Sequence, residues 1–122
     1  MATIIEQIRA GRRFSVTVGS MTFTGTRPTV EQFTDLFKGD ASECAMVRQY
    51  VDGWKNVKEK DIIKGGSNKL VDFDKELFAV VIGDMPIVWH TIAVHLAKEV
   101  KEAAIEIGEN QKNSQGGSTT TN

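Results

Sequence analysis

Residues Val51–Ile92, VDGWKNVKEKDIIKGGSNKLVDFDKELFAVVIGDMPIVWHTI, decide the fold of this chain. The stretch contains a Gly-Trp pair, a polar loop, a helix that starts at Asp74, and the start of a further helix at Asp84-x-Pro86. Asp74 is predicted to be an N-cap. Phe73 and Phe78 occupy the two positions of a hydrophobic staple around it. Asp84 is predicted to cap the last helix. Pro86 then lies in the first turn of this helix, where a proline is tolerated because it removes only an N–H group that has no helical partner.

The last helix has an apolar stripe at helical spacing, and the stripe ends near Gly108. Its predicted buried positions are Trp89, Ile92, Ala93, Leu96, Val100, Ala103 or Ala104, and Ile107. From Glu109 the sequence ENQKNSQGGSTTTN contains no apolar residue, so it cannot offset the entropy lost on ordering. We therefore expect one domain over residues 1–108 and a disordered polar tail over residues 109–122.

Upstream, the sequence predicts a short helix and a β-hairpin. Isoleucines at helical spacing indicate a helix over Thr3–Arg9, and their stripe must dock on another surface. Residues 13–26, RFSVTVGSMTFTGT, alternate apolar and polar residues on both sides of a Gly-Ser pair, which suits a type II′ turn. That turn would place Val16 opposite Phe23 and give the hairpin one apolar face and one threonine-rich face. The apolar face should lie on helices, because an isolated hairpin is only marginally stable.

Two further helices are expected between the hairpin and the central stretch. Thr29 and Gln32 form a capping-box pattern for the first helix, and Asp40 and Glu43 form one for the second, which should end near Gly53. The Gly-rich segment at residues 64–69 is predicted to be a mobile loop. The fold class is thus α+β and mainly α, with a short helix and hairpin followed by about four helices.

Composition excludes several function classes. The chain has 122 residues, of which 40% are hydrophobic and 25% charged, as is ordinary for a globular domain. Its 15 basic and 16 acidic residues are interspersed and leave a net charge of -1, so nucleic acid is not an expected partner. No apolar run reaches the roughly 18 residues of a membrane span or resembles a signal peptide, so we expect a cytoplasmic protein without a membrane partner.

A search for catalytic or metal-binding groups gives no candidate. His90 and His95 are separated by roughly 140° around one helix, at about 100° per residue, so they cannot share a metal ion. Cys44 occupies an apolar helical position without a neighbouring histidine, which is typical of a core residue. Gly65-Gly66 lacks the Gly-Lys-Ser/Thr ending of a phosphate loop. The acidic residues of the stretch are explained as helix caps and first-turn charges. The sequence predicts no enzyme, no metal and no cofactor.

The order of segments resembles the tail assembly chaperones of long-tailed bacteriophages. The likeness covers about residues 44–97 and rests on four quoted pieces: Val51-x-Gly53-Trp54, then Val57, then Phe73-Asp74-x-Glu76-Leu77, then Asp84-x-Pro86 with an aromatic and apolar helix. Each piece also has a plain structural meaning, since Trp54 suits a core anchor and Pro86 a helix start. The resemblance lies in the order in which these four pieces follow one another.

This resemblance implies a protein-binding role in the host cytoplasm and no place in the mature virion. Such chaperones bind the tape measure protein, keep this long helical protein soluble, and help to recruit the major tail protein. A receptor for amphipathic helices needs apolar grooves, and aromatic residues dominate interface energetics. The candidate partner-binding residues are Phe33, Phe37, Tyr50, Trp54 and Trp89, for each of which core packing is the competing interpretation. Self-association is also expected, because a chain of this size leaves apolar faces uncovered.

Two alternatives remain open at the level of sequence. One is a structural virion component, such as a small head-tail connector or tail-completion protein, in which the hairpin would pair with neighbouring subunits in a ring. The other is a DNA-binding regulator that uses residues 31–52 as a helix-turn-helix. This second reading is weakened because Arg48 is the only arginine of the supposed recognition helix and acidic residues surround it.

Overall fold

A computed structural model describes residues 2–114, with side chains for residues 2–109. Its elements are α1 (Ile4–Gly11), β1 (Arg13–Val18), β2 (Met21–Thr26), α2 (Val30–Lys38), α3 (Glu43–Tyr50), β3 (Val51–Lys55), α4 (Glu59–Ile62), α5 (Lys75–Ile82) and α6 (Pro86–Ser114). The predicted α+β, mainly α class is confirmed. Five helices follow the hairpin, because the single turn α4 was not predicted, and the hairpin has a third strand beside it.

The predicted hairpin is confirmed in strand bounds and register. Val16 pairs with Phe23 and Val18 with Met21, which leaves a two-residue turn at Gly19-Ser20. Gly19 has a φ of 63°, as a type II′ turn requires at its first central position. One face of the hairpin is buried and the other carries the threonines, so the predicted division between the two faces is also confirmed.

The Gly-Trp segment forms the strand β3, so the helix end predicted near Gly53 is wrong. α3 ends at Tyr50, and β3 begins at the next residue and pairs antiparallel with β2. The register shifts between Thr24 and Gly25, so Asp52 is an extra residue on β3, as in a β-bulge. The bulge turns both Val51 and Trp54 toward the core, although three positions separate them.

The core lies between one face of the sheet and helices α3, α5 and α6. Its members are Phe14, Val16, Phe23, Met46, Val47, Val51, Trp54, Val57, Phe78, Ile82, Val88, Ile92, Ala93 and Leu96. The predicted stripe of α6 is buried only as far as Val100, and Ile107 at its far end is exposed. The distal part of α6 therefore extends past the core.

Two of the four predicted helix caps are confirmed and two are wrong. Thr29 forms the full capping box with Gln32, and the Asp74 carboxylate accepts the Leu77 N–H at 2.9 Å. Asp40 does not cap α3, because it adopts a left-handed φ of 62° in the preceding turn, and Ser42 accepts the Ala45 N–H instead. Before α6, the Met85 carbonyl accepts the Trp89 N–H, so Met85 occupies the N-cap position predicted for Asp84.

The predicted helix end at Gly108 is also wrong, because α6 continues to Ser114. A glycine inside a helix costs only about 1 kcal/mol relative to alanine, and the polar residues that follow it can extend a helix already begun. Residues 109–114 of the predicted disordered tail are thus helical. The rest of that tail, residues 115–122, lies outside the described residues.

The junction between α3 and β3 is held by one lysine. Lys75 Nζ donates to the carbonyl oxygens of Arg48 at 2.8 Å, Gln49 at 3.3 Å and Val51 at 2.6 Å. Terminal carbonyls of a helix have no partner within it, so the ammonium group supplies the missing donors. Burial lowers the pKa of Lys75, and nearby Asp52 opposes that change.

Replacement of Lys75 by methionine is expected to lower the free energy of unfolding by about 1 kcal/mol, because three carbonyls lose a charged donor that water replaces only in part. Urea denaturation of the purified chain measures this loss. Lys98→Met is the matched control on the exposed face of α6 and should change stability by less than about 0.5 kcal/mol. Equal effects of the two variants would contradict the capping role.

Candidate functional site

Trp54, a predicted partner-binding residue, lies in the core. Only 8% of the residue is exposed, and its ring packs edge-on against Phe23, Phe73 and Phe78, with centroid distances of 5.3–6.4 Å. Its indole N–H donates to the Val71 carbonyl at 2.8 Å. Both the ring and its polar atom are thus engaged within the domain. The structure favours the core-anchor interpretation of this residue over the partner-binding one.

The other four predicted residues keep some exposure and are spread over three helices, α2, α3 and α6. The rings of Phe33 and Phe37 on α2 are tilted against each other with their centroids 4.8 Å apart, and Phe37 is 44% exposed. Tyr50 and Trp89 are half-buried and pack against the core. Tyr50 also lines a cleft below the start of α2, where burial raises the pKa of its hydroxyl. Within residues 2–109, no aromatic contact joins these two side chains to the phenylalanine pair.

A groove that the sequence did not indicate lies where the α4 segment meets the corner between α5 and α6. We call it the corner groove; its volume is about 370 Å³, and it is lined by Lys60, Asp61, Ile62, Ile63, Lys64, Val80, Val81, Asp84 and Met85. Val80 is 69% exposed and Ile63 is also exposed. The groove thus combines aliphatic walls with charges of both signs.

Hydrogen bonds join α4, which forms one wall of the corner groove, to residues 67–69. The Glu59 N–H donates to the Lys69 carbonyl at 2.9 Å, and the Glu59 carboxylate accepts from the Ser67 hydroxyl at 2.7 Å, which lowers the pKa of Glu59. Lys60 N–H donates to the Ser67 carbonyl at 3.0 Å. These bonds give the predicted loop at residues 64–69 a defined path beside α4.

A second groove separates the start of α2 from the distal part of α6. We call it the arginine groove; its volume is about 360 Å³, and it is lined by Arg12, Arg27, Thr29, Val30, Glu31, Ala103, Ala104, Ile107 and Gly108. Arg27 is partly buried, donates to the Pro28 carbonyl at 2.9 Å, and has its pKa lowered by burial and by the charge of Arg12. The groove therefore combines apolar side chains with two arginines and one glutamate.

The histidines and acidic residues make ordinary pairwise contacts. His90 Nδ1 lies 2.9 Å from Glu43 and links α6 to α3, and His95 Nε2 lies 2.6 Å from Glu99 one turn along α6. Among residues 2–109, no group of three or more potential metal ligands comes together.

No helix of residues 2–114 is by itself long and apolar enough to cross a membrane; α5 and α6 reach that threshold only as a pair, which is bent by 108°. Comparison of the chain with protein-family models, with curated proteins and with solved structures gave no match.

Proposed function

We propose that this protein is a tail assembly chaperone of a long-tailed bacteriophage, and that its corner groove binds an amphipathic helix of the tape measure protein. The observation that carries the proposal is the exposed aliphatic surface that Ile63 and Val80 form in this groove. This surface lies within residues 44–97, the part of the chain in which the order of motifs resembles such chaperones. The role is non-enzymatic and is performed in the host cytoplasm.

The chemistry of the corner groove suits a helix with an apolar stripe and mixed charges. Its lining combines aliphatic side chains with the two lysines Lys60 and Lys64 and the two aspartates Asp61 and Asp84. Burial of a valine or isoleucine side chain that was exposed contributes about 1.5–3 kcal/mol, so a few such contacts suffice for a reversible complex. Reversibility is what a chaperone requires, since its client must later be released to the tail tube.

Co-expression with segments of the tape measure protein encoded in the same genome tests the proposal. A segment that is insoluble alone is expected to become soluble in the presence of this chain and to copurify with it. If no segment along the entire tape measure protein gains solubility or binds, the chaperone function is wrong.

Val80→Asp locates the binding surface within that experiment. A carboxylate on the apolar wall must lose its hydration when the client docks, so we expect binding to weaken by about tenfold or more. Val94→Asp is the matched control, because Val94 is also a helical valine and is 53% exposed on the outer side of α6. Circular dichroism should show both variants folded. Equal loss of binding, or none, in the two variants would remove the corner groove from the proposal.

A structural virion component remains the second candidate, because β1 is an edge strand of the sheet. An open edge can pair with a neighbouring subunit. Arg12 and Arg13 stand at the start of this edge, however, and charges at an edge disfavour such pairing. Purified tails distinguish the two functions, since a connector or tail-completion protein persists in them and a chaperone does not.

A further inference from the structure

The cleft below the start of α2 brings together three arginines from separate segments of the chain. Arg9 lies on α1, Arg12 between α1 and β1, and Arg27 between β2 and α2. We call it the donor cleft; its volume is about 330 Å³, and two threonines, a glutamine and Tyr50 complete its lining. Among residues 2–109, no carboxylate lines this cleft. The donor cleft therefore has three positive charges and no negative charge of its own.

The charges of the cleft are not neutralised within the described part of the chain. The ion pairs within residues 2–109 involve Arg13 and the two histidines, and none includes an arginine of the cleft. The Arg27 N–H donates to the Arg12 carbonyl at 2.8 Å, which holds these two residues together. Burial and the charge of Arg12 lower the pKa of Arg27, and Glu99 opposes this change by less than Arg12 adds to it. A bound anion would remove this repulsion.

The other polar side chains of the donor cleft already use their acceptor atoms and keep their donors. Thr26 Oγ1 accepts a hydrogen bond from Arg13 at 3.1 Å, and Thr29 Oγ1 accepts the Gln32 N–H at 3.1 Å. Gln32 Oε1 in turn accepts the Thr29 N–H at 2.9 Å. Within residues 2–109, this leaves the O–H of each threonine and the amide NH2 of Gln32 to donate. Burial raises the pKa of Tyr50, so its hydroxyl stays a neutral donor.

Linked phosphate groups match both the charge and the donors of this cleft. A terminal phosphate carries about −1.5 to −2 charges at neutral pH, and its oxygens are strong acceptors. Guanidinium groups bind such oxygens in a bidentate manner. One carboxylate would neutralise a single arginine, whereas two linked phosphate groups neutralise three. The volume of the cleft lies near the lower limit of about 300 Å³ for small-molecule sites, which favours a small ligand over a polymer.

We propose that the donor cleft binds the diphosphate or triphosphate group of a small molecule. Arg9, Arg12 and Arg27 neutralise its charge, and Tyr50 donates a hydrogen bond to it. Free pyrophosphate and a nucleoside triphosphate share this chemistry, and titration with each of them distinguishes the two sources. The site does not involve the corner groove and is independent of the proposed chaperone function.

Calorimetric titration of the full chain with sodium pyrophosphate, at constant ionic strength, tests the site. We expect one pyrophosphate per chain, with a dissociation constant below about 1 mM. Arg12→Gln should raise this constant about tenfold or more, whereas Lys98→Gln, which removes the same charge from an exposed position of α6, should change it less than about twofold. The absence of binding, or equal weakening in the two variants, would overturn the proposal.

Three further titrations define the ligand. Adenosine triphosphate that binds more tightly than pyrophosphate would support a nucleotide as the source of the phosphates, and equal or weaker binding would support the free anion. Sodium acetate that binds as tightly as pyrophosphate would overturn the preference for phosphate. A single-stranded oligonucleotide that binds more tightly than both phosphate compounds would overturn the assignment to a small molecule.

Thermal unfolding separates loss of the site from loss of folding. Without pyrophosphate, Arg12→Gln should unfold at the same or a higher temperature than the unmodified chain, because the repulsion of Arg27 is removed and the backbone hydrogen bond between the two residues is kept. Excess pyrophosphate should raise the Tm of the unmodified chain by about 4 °C or more and leave that of the variant nearly unchanged. A variant that unfolds earlier but gains as much from pyrophosphate would make Arg12 a structural residue and overturn the proposal.

Discussion

Replacement of Trp54 by alanine is expected to lower the free energy of unfolding by about 4 kcal/mol, which would leave a domain of this size barely folded. The variant loses three aromatic contacts at once and opens a cavity between the sheet and α5. It also leaves the Val71 carbonyl without the indole donor. Urea denaturation, followed by circular dichroism, measures the loss.

Trp54→Phe divides this effect into its parts. A phenylalanine keeps most of the ring packing but cannot donate to Val71, so we expect a loss of about 1–2 kcal/mol. A Trp54→Ala variant of unchanged stability that fails to bind the tape measure protein would instead make Trp54 a contact residue. In that case the core-anchor interpretation would be wrong.

Gly25→Ala is expected to lower the free energy of unfolding by about 3 kcal/mol, although it adds only one methyl group. A Cβ atom at this position would overlap the backbone carbonyl oxygen of Tyr50 and would come within 2.7 Å of the Phe14 ring. The carbonyl belongs to the junction between α3 and β3 and cannot move without disturbing the bulge, so the strain is not relieved by a side-chain rotation. Thermal and urea unfolding should both show the loss.

Gly108→Ala is the control for this second prediction and should raise the free energy of unfolding. Gly108 lies within α6, and a Cβ atom there meets nothing within 4 Å. Alanine should therefore stabilise the helix by about 0.5–1 kcal/mol through its better helix propensity. If Gly25→Ala were as harmless as Gly108→Ala, the close approach of β2 to the end of α3 would be contradicted.

Features that depend on neighbours in sequence were predicted well. The hairpin register follows from strict alternation around Gly19-Ser20, and the caps at Thr29 and Asp74 follow from hydrogen bonds to an N–H three residues away. Asp40 misled the prediction because Ser42, two residues later, is an equally good cap. Only the path of the intervening turn decides between them.

Strand β3 could not be predicted by the same reasoning. Regular alternation would place Val51 and Trp54 on opposite faces, and only the extra residue at Asp52 brings both to the core. The partner of this strand, β2, is also distant in sequence. Asp52 itself is aimed outward, where it forms an ion pair with Arg13 on β1 at 2.5 Å.

The candidate surfaces were missed for a related reason. Aromatic residues are the best partner-binding candidates by residue type, but the most aromatic part of the chain, around Trp54 and Phe78, is core. The exposed residues are aliphatic members of longer apolar runs, such as Val80 beside Ile82. In a continuous run, periodicity does not show which member faces water, because that depends on what packs against the helix.

The direct passage from α3 into β3 has a consequence for the thermodynamics of association. Tyr50 ends α3 and Val51 begins β3. Lys75, at the start of α5, donates to carbonyl oxygens of α3 and of β3, so the sheet and two helices are joined without a hinge residue. For the proposed chaperone function, this frame would be preorganised before the client arrives. It loses little conformational entropy on docking, and the cost of ordering falls almost entirely on the incoming chain.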